Sequence, residues 1–358
     1  MTVAADVTIV GGGPAGAALA VSLGRQGAKV VLYEKARHPR LKPCGEGLLP
    51  HGVAALRDLV GLPEAPRVRG LTFSAGNVST DVDFPGAYGL VLRRDRFDAW
   101  LFGLAAETPN VDARPGTAYR QGPTRFLVGA DGIHSIFHRR LPARFVRPPR
   151  AGLSAHVVRL EGLGDRVEVF FHDEGELYIA PTGGGEALVS GLFDYRHFRR
   201  DGITHLLNST PALRHRLSHI EFTTPVLAAA PLGLHVPRIV DQDAGLLLVG
   251  DAAGSPDPIT AGGMALALAA TKLASDAILS GKLREYQRRR LEIGRTVHRL
   301  GRLMLWLGRT ERQAARVLRH ASIAIPPLLD VAVGYRAVAR SPFGRHGTDI
   351  NSRLSTHD

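Results

Sequence analysis

Three glycines near the start of the chain have the spacing that lets a peptide backbone approach a phosphate. Gly11, Gly13 and Gly16 form a GxGxxG pattern within residues 6–35. In this pattern the first glycine permits a tight turn, the second lets a pyrophosphate approach the backbone, and the third lets helix and strand pack closely. Pro14 follows where the first turn of a helix tolerates proline, and the free N–H groups of that turn face the anion.

An acidic residue marks the far end of this segment. Glu34 ends a predicted strand over residues 29–33, where its carboxylate can accept hydrogen bonds from ribose hydroxyls and would repel a 2′-phosphate. A strand over residues 7–10 must precede the glycines, and a helix to about Gly24 must follow them. The order of strand, helix, strand and acid predicts a Rossmann-type dinucleotide unit, which NAD and FAD share.

Two later segments also place an acid at the end of a strand. Residues 246–251, LLLVGD, predict a buried strand ending in Asp251, and a Pro/Gly-rich turn then leads to an Ala/Leu-rich helix from about Ala261. Asp251 could accept hydrogen bonds from a polyol, while the helix N-terminus could face the pyrimidine end of a reduced flavin. The alternative is that Asp251 only caps a turn. Residues 126–135, FLVGADGIHS, lead from a strand into Asp131 and Gly132.

Taken together and in this order, the three segments resemble those of FAD-dependent oxidoreductases built like p-hydroxybenzoate hydroxylase. This superfamily includes aromatic-ring monooxygenases, flavin-dependent halogenases and geranylgeranyl reductases. Residues 94–101, RDRFDAWL, are similar to its Arg-x-x-Phe-Asp-x-x-Leu helix start. Residues 42–48, KPCGEGL, are similar to the Lys-x-Cys-Gly segment of geranylgeranyl reductases and the Gly-Glu segment of halogenases. The resemblance extends from Asp6 to about Gly281.

The resemblance implies an α/β fold with a discontinuous Rossmann-type FAD-binding domain, an inserted antiparallel β-sheet substrate domain and a helical C-terminus. We assign residues 1–70, 86–150 and 236–282 to the FAD domain, 71–85 and 151–235 to the substrate domain, 283–340 to the helical region and 341–358 to a flexible tail. Within the substrate domain we predict strands over residues 153–160, 166–171, 177–181 and 187–193. The helical region is predicted to contain helices over 283–308 and 311–325.

The resemblance also implies which residues hold FAD. The three glycines and Glu34 would hold its ADP half, Asp251 its ribityl chain, and the turn 258–264 would lie beside the isoalloxazine ring. Asp131 and Gly132 would support the pyrophosphate, and Arg94 the flavin side chain. The complete predicted set is Gly11, Gly13, Pro14, Ala15, Gly16, Glu34, Lys35, Cys44, Gly45, Arg94, Asp131, Gly132, Gly250, Asp251, Pro258, Gly262, Gly263 and Met264.

Cys44 and Glu46 are the candidate catalytic residues, because the resemblance places their loop beside the flavin. They could tune the reaction or donate a proton near the reacting carbon. The alternative is that Cys44 fills a small apolar space in a Gly-rich loop while Glu46 is solvated. Lys42 could neutralise cofactor or substrate charge, or be solvated like the basic residues before it.

The chain departs from the superfamily at three places. Residues 110–126 leave room for about two strands where relatives have several strands of an antiparallel meander. His138 stands where an Arg is usual, and Ala261 stands where many relatives have Gly. Of the Tyr-x-Trp-x-Phe-Pro segment of geranylgeranyl reductases, only Tyr178 and Pro181 are kept.

The function implied is that of an FAD-dependent oxidoreductase. The preferred reaction is hydroxylation of a lipophilic or aromatic small molecule through a flavin C4a-hydroperoxide, with NAD(P)H as transient reductant. The alternatives are reduction of C=C bonds in a prenyl or polyketide lipid, as in geranylgeranyl reductases, and a flavin-binding protein without turnover.

Composition and charge indicate which partners, metals and cellular compartment to expect. Residues 282–358 contain 16 Lys and Arg against 6 Asp and Glu, so most of the net charge of +12 lies there. This basic region could be a solvated helical face or a peripheral contact with an anionic lipid surface, and no nucleic-acid-binding module accompanies it. The single cysteine excludes an internal disulfide, and no Cys/His group has zinc-ligand spacing, so no metal is predicted. Short apolar runs and no signal-peptide pattern predict a cytoplasmic protein.

Overall fold

The computed structural model describes residues 5–320 of the 358. The helices are α1 Pro14–Arg25, α2 Pro50–Val60, α3 Arg94–Glu107, α4 Gly202–Ser209, α5 Gly263–Ser280 and α6 Leu283–Leu307. The strands are β1 Ala5–Val10, β2 Val30–Glu34, β3 Gly47–Leu48, β4 Arg67–Val68, β5 Gly70–Ala75, β6 Val78–Asp83, β7 Gly89–Val91, β8 Val111–Pro115, β9 Thr124–Gly129, β10 Arg144–Val158, β11 Arg166–His172, β12 Gly175–Gly183, β13 Glu186–Asp194, β14 Glu221–Phe222, β15 Leu227–His235, β16 Val240–Asp241 and β17 Leu246–Leu248. Residues 311–320 are also helical.

A six-stranded sheet in the order β16-β17-β9-β1-β2-β8 forms the first layer. Its pairs are parallel except for the edge pair of β16 and β17. The carboxyl ends of parallel strands meet at one edge of a sheet, and ligands bind in the crevice outside that edge. The chain segments that follow β1, β9 and β17 therefore converge, although they are far apart in sequence. These are the three segments predicted to share one cofactor.

Helix α5 is the central helix of this domain. It contacts α1, α2 and α6, and the Ser22 and Ser275 hydroxyls form a hydrogen bond of 3.0 Å between α1 and α5. By length and composition α5 is apolar enough to cross a bilayer, but 61% of it is buried inside the protein, as expected of a core helix. The Tyr286 hydroxyl of α6 donates to the Leu248 carbonyl at 2.7 Å, which ties α6 to β17.

An eight-stranded sheet forms the second layer. Seven strands follow the order β14-β10-β13-β12-β11-β5-β6, and β15 pairs with β10. The pairs are antiparallel except for β11 with β5, which is parallel. Because side chains alternate along a strand, Leu153, Leu177 and Phe193 pack on one face of the sheet with Ile203 and Leu206 of α4. The opposite face lies over the crevice of the parallel sheet.

The predicted elements are present with changed ends. Strand β10 begins at Arg144, inside the range assigned to the FAD domain, because pairing with β15 extends from Ser154 back to Arg144. The helix predicted from about Ala261 begins at Gly263, since Ala261 adopts a left-handed φ of 49° that ends the preceding turn. Residues 110–126 contain β8 and the start of β9. The predicted tail, 341–358, and the end of the second predicted C-terminal helix lie outside the described residues.

Candidate functional site

The glycine turn after β1 has open space where an anion would bind. Gly11 has φ of 109°, and a Cβ there would lie 2.4 Å from the Ala130 carbonyl oxygen. A Cβ at Gly16 would lie 1.9 Å from the Gly11 oxygen, whereas one at Gly13 would meet nothing within 4 Å. Helix α1 begins at Pro14 without a side-chain cap, so its first N–H groups remain available to a phosphate. The turn therefore fits the pyrophosphate of a dinucleotide.

Glu34 holds this turn to the end of β2. Its carboxylate accepts hydrogen bonds of 2.8 Å from the N–H groups of Gly12 and Ala36, and Arg40 lies 3.5 Å away. The side chain is buried. Lys35, predicted to bind the cofactor, is exposed.

A cavity of about 380 Å³ lies between the two sheets. Its volume is within the range of small-molecule sites. The predicted cofactor-binding residues in its walls are Gly13, Pro14, Ala15, Cys44, Gly45, Arg94, Gly132, Gly250, Asp251, Pro258, Gly263 and Met264, and Glu46 also lines it. The predicted residues behind the walls or away from them are Gly11, Gly16, Glu34, Lys35, Asp131 and Gly262.

Asp131 lies behind the wall but keeps a free acceptor. One of its carboxylate oxygens accepts from the Ile136 N–H at 2.8 Å. The other, Oδ1, is buried and has no hydrogen-bond partner in residues 5–320. A buried carboxylate oxygen normally has a partner, so this oxygen fits a donor from a bound molecule. His138, where relatives have Arg, instead pairs its Nε2 with the Ala252 carbonyl at 2.9 Å.

Alternating charges line the cavity at the start of α3. Arg94 forms two hydrogen bonds of 2.8 Å with Asp98. Burial acts to lower the pKa of Arg94, but the adjacent Asp98 carboxylate, with a smaller contribution from the sulfur of Cys44, more than offsets it and raises that pKa. Burial, followed by the nearby Arg94 charge, lowers the pKa of Lys42, while Asp251 opposes the shift. Lys42 is therefore partly buried among these charges instead of freely solvated.

The loop that contains both candidate catalytic residues is fixed by its own carboxylate. Glu46 is 2% exposed and has φ of 57°. Its Oε1 accepts the Arg94 N–H at 2.8 Å, and its Oε2 lies 3.0 Å from His156 Nε2. The Glu46 N–H in turn donates to Cys44 Sγ at 3.3 Å. Glu46 is therefore neither solvated nor free to move, and it positions Cys44 at the cavity wall.

The second sheet provides the roof of the cavity, and one row of the roof carries hydroxyls. Register pairs align Phe73, Val169, Tyr178, Ser190 and Ser154 across five strands. Ser154 Oγ accepts the Cys44 N–H at 3.4 Å, which connects the roof to the cysteine loop.

Tyr178 has the most unusual environment in this row. Its hydroxyl is buried, with no hydrogen-bond partner in the part of the chain that is described, while its ring lines the cavity. Burial, reinforced by the nearby Glu176 carboxylate, raises the Tyr178 pKa well above its usual value. The hydroxyl therefore stays protonated at physiological pH. Glu176 itself forms a buried ion pair with Arg150.

Several residues of this site, Tyr178 among them, were not among the predicted site residues. Asp98 follows Arg94 by four residues in a predicted helix, which is the spacing of an ion pair and could have been found. Ser154 and His156 alternate with apolar residues in β10, so the sequence could have predicted that they lie on the same face. Nothing in the sequence indicates that Ser190 meets that face, because the contact depends on strand register.

Comparison with known proteins agrees with this geometry. Residues 4–122 match the family model of an FAD binding domain. Menaquinone reductase from Mycobacterium tuberculosis is 29% identical over 318 residues, which cover 78% of each chain. Digeranylgeranylglycerophospholipid reductase from Methanocaldococcus jannaschii is 27% identical over 329 residues, covering 79% of this chain and 81% of the relative.

Solved structures share the fold at lower sequence identity. The flavin-dependent brominase Bmp2 superposes with a TM-score of 0.78 at 18% identity, over 92% of this chain and 94% of that one. Pseudomonas aeruginosa PqsL in complex with 2-aminobenzoylacetate gives 0.72 at 21% identity, over 88% and 100%. The predicted α/β fold and the resemblance to the p-hydroxybenzoate hydroxylase-like superfamily are confirmed. The comparisons also support FAD as the cofactor.

Proposed function

We propose that this FAD-dependent oxidoreductase reduces carbon–carbon double bonds of a long lipophilic substrate of the isoprenoid class, with NAD(P)H as transient reductant. The observation that carries the proposal is the cavity itself, where one thiol, Cys44, and one unpartnered hydroxyl, that of Tyr178, lie in walls that are otherwise largely apolar. The sequence alone favours hydroxylation. We reverse that preference because the relatives that share sequence over most of their length are named as reductases of lipids, whereas the monooxygenase and halogenase likeness is one of fold.

The turns that follow β1, β9 and β17 form the floor of the cavity, opposite the roof, and their residues would hold FAD. The glycine turn and the start of α1 would hold its pyrophosphate, and the free oxygen of Asp131 is a nearby acceptor for one of its donor groups. Asp251, in the cavity wall, is an acceptor for the ribityl hydroxyls. When bound and reduced by NAD(P)H, the cofactor would supply the hydride that adds to one carbon of the double bond.

The other carbon of the double bond needs a proton, and Cys44, in the cavity wall, is the proposed donor. Its S–H bond breaks as the new C–H bond forms, so substrate gains two hydrogens and a thiolate remains until it is reprotonated from solvent. The Arg94 guanidinium beside Cys44 and the Glu46 N–H, 3.3 Å from Sγ, stabilise that negative charge.

The roof would orient the substrate. The protonated Tyr178 hydroxyl can donate a hydrogen bond to a polar atom of the substrate, which removes the cost of leaving the hydroxyl unsatisfied. The apolar side chains of the same sheet, including Phe73, Val169 and Phe171, enclose the hydrocarbon part and exclude water.

Product mass decides between the candidate reactions. The yellow holoprotein should be given NAD(P)H with a panel of prenyl lipids and lipophilic phenols, with and without oxygen. Reduction predicts a gain of two hydrogens under anaerobic conditions. Hydroxylation, the second candidate because the same enclosed cavity would shield an oxygenating site, predicts a gain of one oxygen and a requirement for O2. No substrate-stimulated oxidation of NAD(P)H would instead indicate a flavin-binding protein without turnover.

A variant tests the proton donor separately. Cys44→Ala should lower the rate of double-bond reduction at least about 100-fold, the lower end of the range for loss of general acid catalysis, while FAD absorbance stays unchanged. Cys44→Ser replaces the thiol with a hydroxyl of similar size and controls for the shape of the wall. Full activity of Cys44→Ala would remove Cys44 from this role.

A further inference from the structure

Helix α6 closes one side of the cavity. Gly294, Gly301 and Gly308 recur at every seventh position and so lie along one side of the helix. A Cβ at Gly301 would lie 3.1 Å from Thr260 Cγ2, and one at Gly308 would lie 2.8 Å from the Phe171 ring. Between them Met304 lines the cavity. The helix therefore packs closely against both the floor turn and the roof.

The C-terminal half of α6 presents a different face outward. Leu303 is 37% exposed and Trp306 is 61% exposed. Around them are Arg295, Arg299, Arg302 and Arg309, and residues 294–310 include no Asp or Glu. Among the described residues, none of these four arginines forms an ion pair with a carboxylate. In the N-terminal half, by contrast, Arg288 and Arg289 pair with Glu285.

This combination has the composition of a helix that lies on an anionic membrane. Arginines attract acidic lipid headgroups, and Trp with Leu enters the boundary between headgroups and acyl chains. A face that is only solvated explains the arginines but not an indole left mostly in water. Trp306 is two residues from Met304, so the apolar cavity lies just behind the exposed face, across one helix.

We propose that the outward face of residues 295–309 docks on an anionic lipid bilayer and brings the cavity next to a lipophilic substrate. The docking rests on the exposed side chains alone. Only the class of molecule that passes from the bilayer to the cavity rests on the proposed function.

Vesicle binding tests the docking directly. Holoprotein should co-sediment with vesicles of equal parts phosphatidylglycerol and phosphatidylcholine, but not with phosphatidylcholine alone, and NaCl should weaken the binding. The double variant Arg299→Glu, Arg302→Glu should bind anionic vesicles at least about tenfold more weakly than the wild type. Each basic residue near the membrane surface contributes roughly fivefold to the affinity. The matched control, Arg200→Glu with Arg214→Glu, has the same change of charge at exposed positions in the substrate domain and should bind as the wild type does.

The fluorescence of Trp306 reports vesicle binding at the docking face itself. The chain has two tryptophans, so Trp100→Phe leaves Trp306 as the reporter. Its emission should shift to the blue when anionic vesicles are added and not when neutral ones are. The proposal would be overturned by an unchanged Trp306 emission or by equal binding to neutral and anionic vesicles. It would also be overturned if the control double variant lost as much vesicle binding as Arg299→Glu, Arg302→Glu.

Failure of docking is distinguishable from failure of the proposed function. With substrate dissolved in detergent, the Arg299→Glu, Arg302→Glu variant should reduce double bonds at the wild-type rate, while with substrate in anionic vesicles its rate should fall with its binding. Loss of vesicle binding without this difference would separate docking from substrate delivery and overturn the second part of the proposal.

Discussion

The floor and the roof of the cavity are built in opposite ways. The floor consists of turns that follow β1, β9 and β17, and each turn is a run of consecutive residues with its own glycines. The turns after β9 and β17 also carry an acid, Asp131 and Asp251. The roof consists of every second residue on five neighbouring strands, with partners that are distant in sequence. A local motif suffices for the floor because all dinucleotides present the same phosphates. The roof depends on strand register, and so it is the part that can differ in its substrate.

This contrast predicts that floor and roof variants fail differently. A floor variant should lose the cofactor and with it every reaction. A roof variant should keep the yellow colour and change only what happens to substrate. The predictions below test that division in order of decreasing effect.

The largest effect is expected at the floor from Gly13→Val. The backbone of Gly13 is extended, with φ of −75°, and a Cβ there meets no atom within 4 Å, so the protein should fold. The added side chain would occupy the space of the pyrophosphate. We expect FAD affinity to fall at least about 100-fold, in line with loss of several charge-assisted hydrogen bonds, measured by flavin fluorescence on titration.

Two further glycine variants serve as comparisons for Gly13→Val. Gly16→Val should give no soluble protein, since its Cβ would overlap the Gly11 oxygen. Gly103→Ala, in α3 with open space around its Cβ, should bind FAD normally and gain up to about 1 kcal/mol of stability. Normal FAD binding by Gly13→Val would show that the turn does not hold the pyrophosphate.

The next effect is expected at the roof from Tyr178→Phe. The buried hydroxyl has no partner in the described structure, and an unsatisfied group of this kind costs about 1–3 kcal/mol. Removing it should therefore raise the free energy of unfolding of the protein without substrate by about 1 kcal/mol. The same change should lower kcat/KM about tenfold, because the hydrogen bond to substrate is lost.

Tyr178→Phe is informative because it is expected to raise stability and to lower kcat/KM. FAD absorbance should be unchanged, which separates it from the floor variants. A stabilised protein with unaltered kcat/KM would mean that Tyr178 does not contact substrate. Ser190→Ala, in the same row of the roof, is the control for loss of a hydroxyl.

A smaller effect is expected where floor and roof meet, from Glu46→Gln. The amide oxygen can still accept the Arg94 N–H, while the charged contact with His156, now 3.0 Å, is weakened. We expect a loss of about 1 kcal/mol in stability, typical of one hydrogen bond, and a several-fold fall in kcat with KM little changed.

A double-mutant cycle with His156→Leu tests whether the pair acts as a unit. Coupled residues give a double variant no worse than the worse single one. Strictly additive effects would show that His156 does not act through Glu46.

The sequence predicts the floor and not the roof for this same reason. Gly11, Glu34 and Asp251 are readable because each lies at a fixed offset from a strand or helix end. The fold class followed from the order of those segments. The contact of Ser154 with Cys44 could not be predicted, since it requires the register of β10, which a one-residue shift would turn to the other face.

Strand β10 illustrates the limit on boundaries as well. Its first residues, RFVRPPR, lack the alternation that predicts a strand. They are extended because β15, about 80 residues later, pairs with them, and that pairing overrides the local pattern.

The smallest effect is expected in helix α2, outside both the floor and the roof, and concerns the sensitivity of the fold to acid. His51, in α2 beneath α5, has a buried Nδ1 without a partner among residues 5–320, and burial lowers the His51 pKa to about 4. Between pH about 6.5 and 4 the unfolded chain binds a proton that the folded protein does not. Stability is therefore present at neutral pH and is lost as the pH falls through this window.

His51→Gln should remove part of that loss. The full shift would correspond to about 3 kcal/mol, and because the side chain is partly exposed we expect about 1 kcal/mol, or roughly 2 °C in Tm. Thermal unfolding of holoprotein at neutral pH and near pH 4.5 measures the difference. His197→Gln, at an exposed position of the roof domain, should lose as much stability on acidification as the wild type. If His51→Gln behaves like it, the acid sensitivity does not arise at His51.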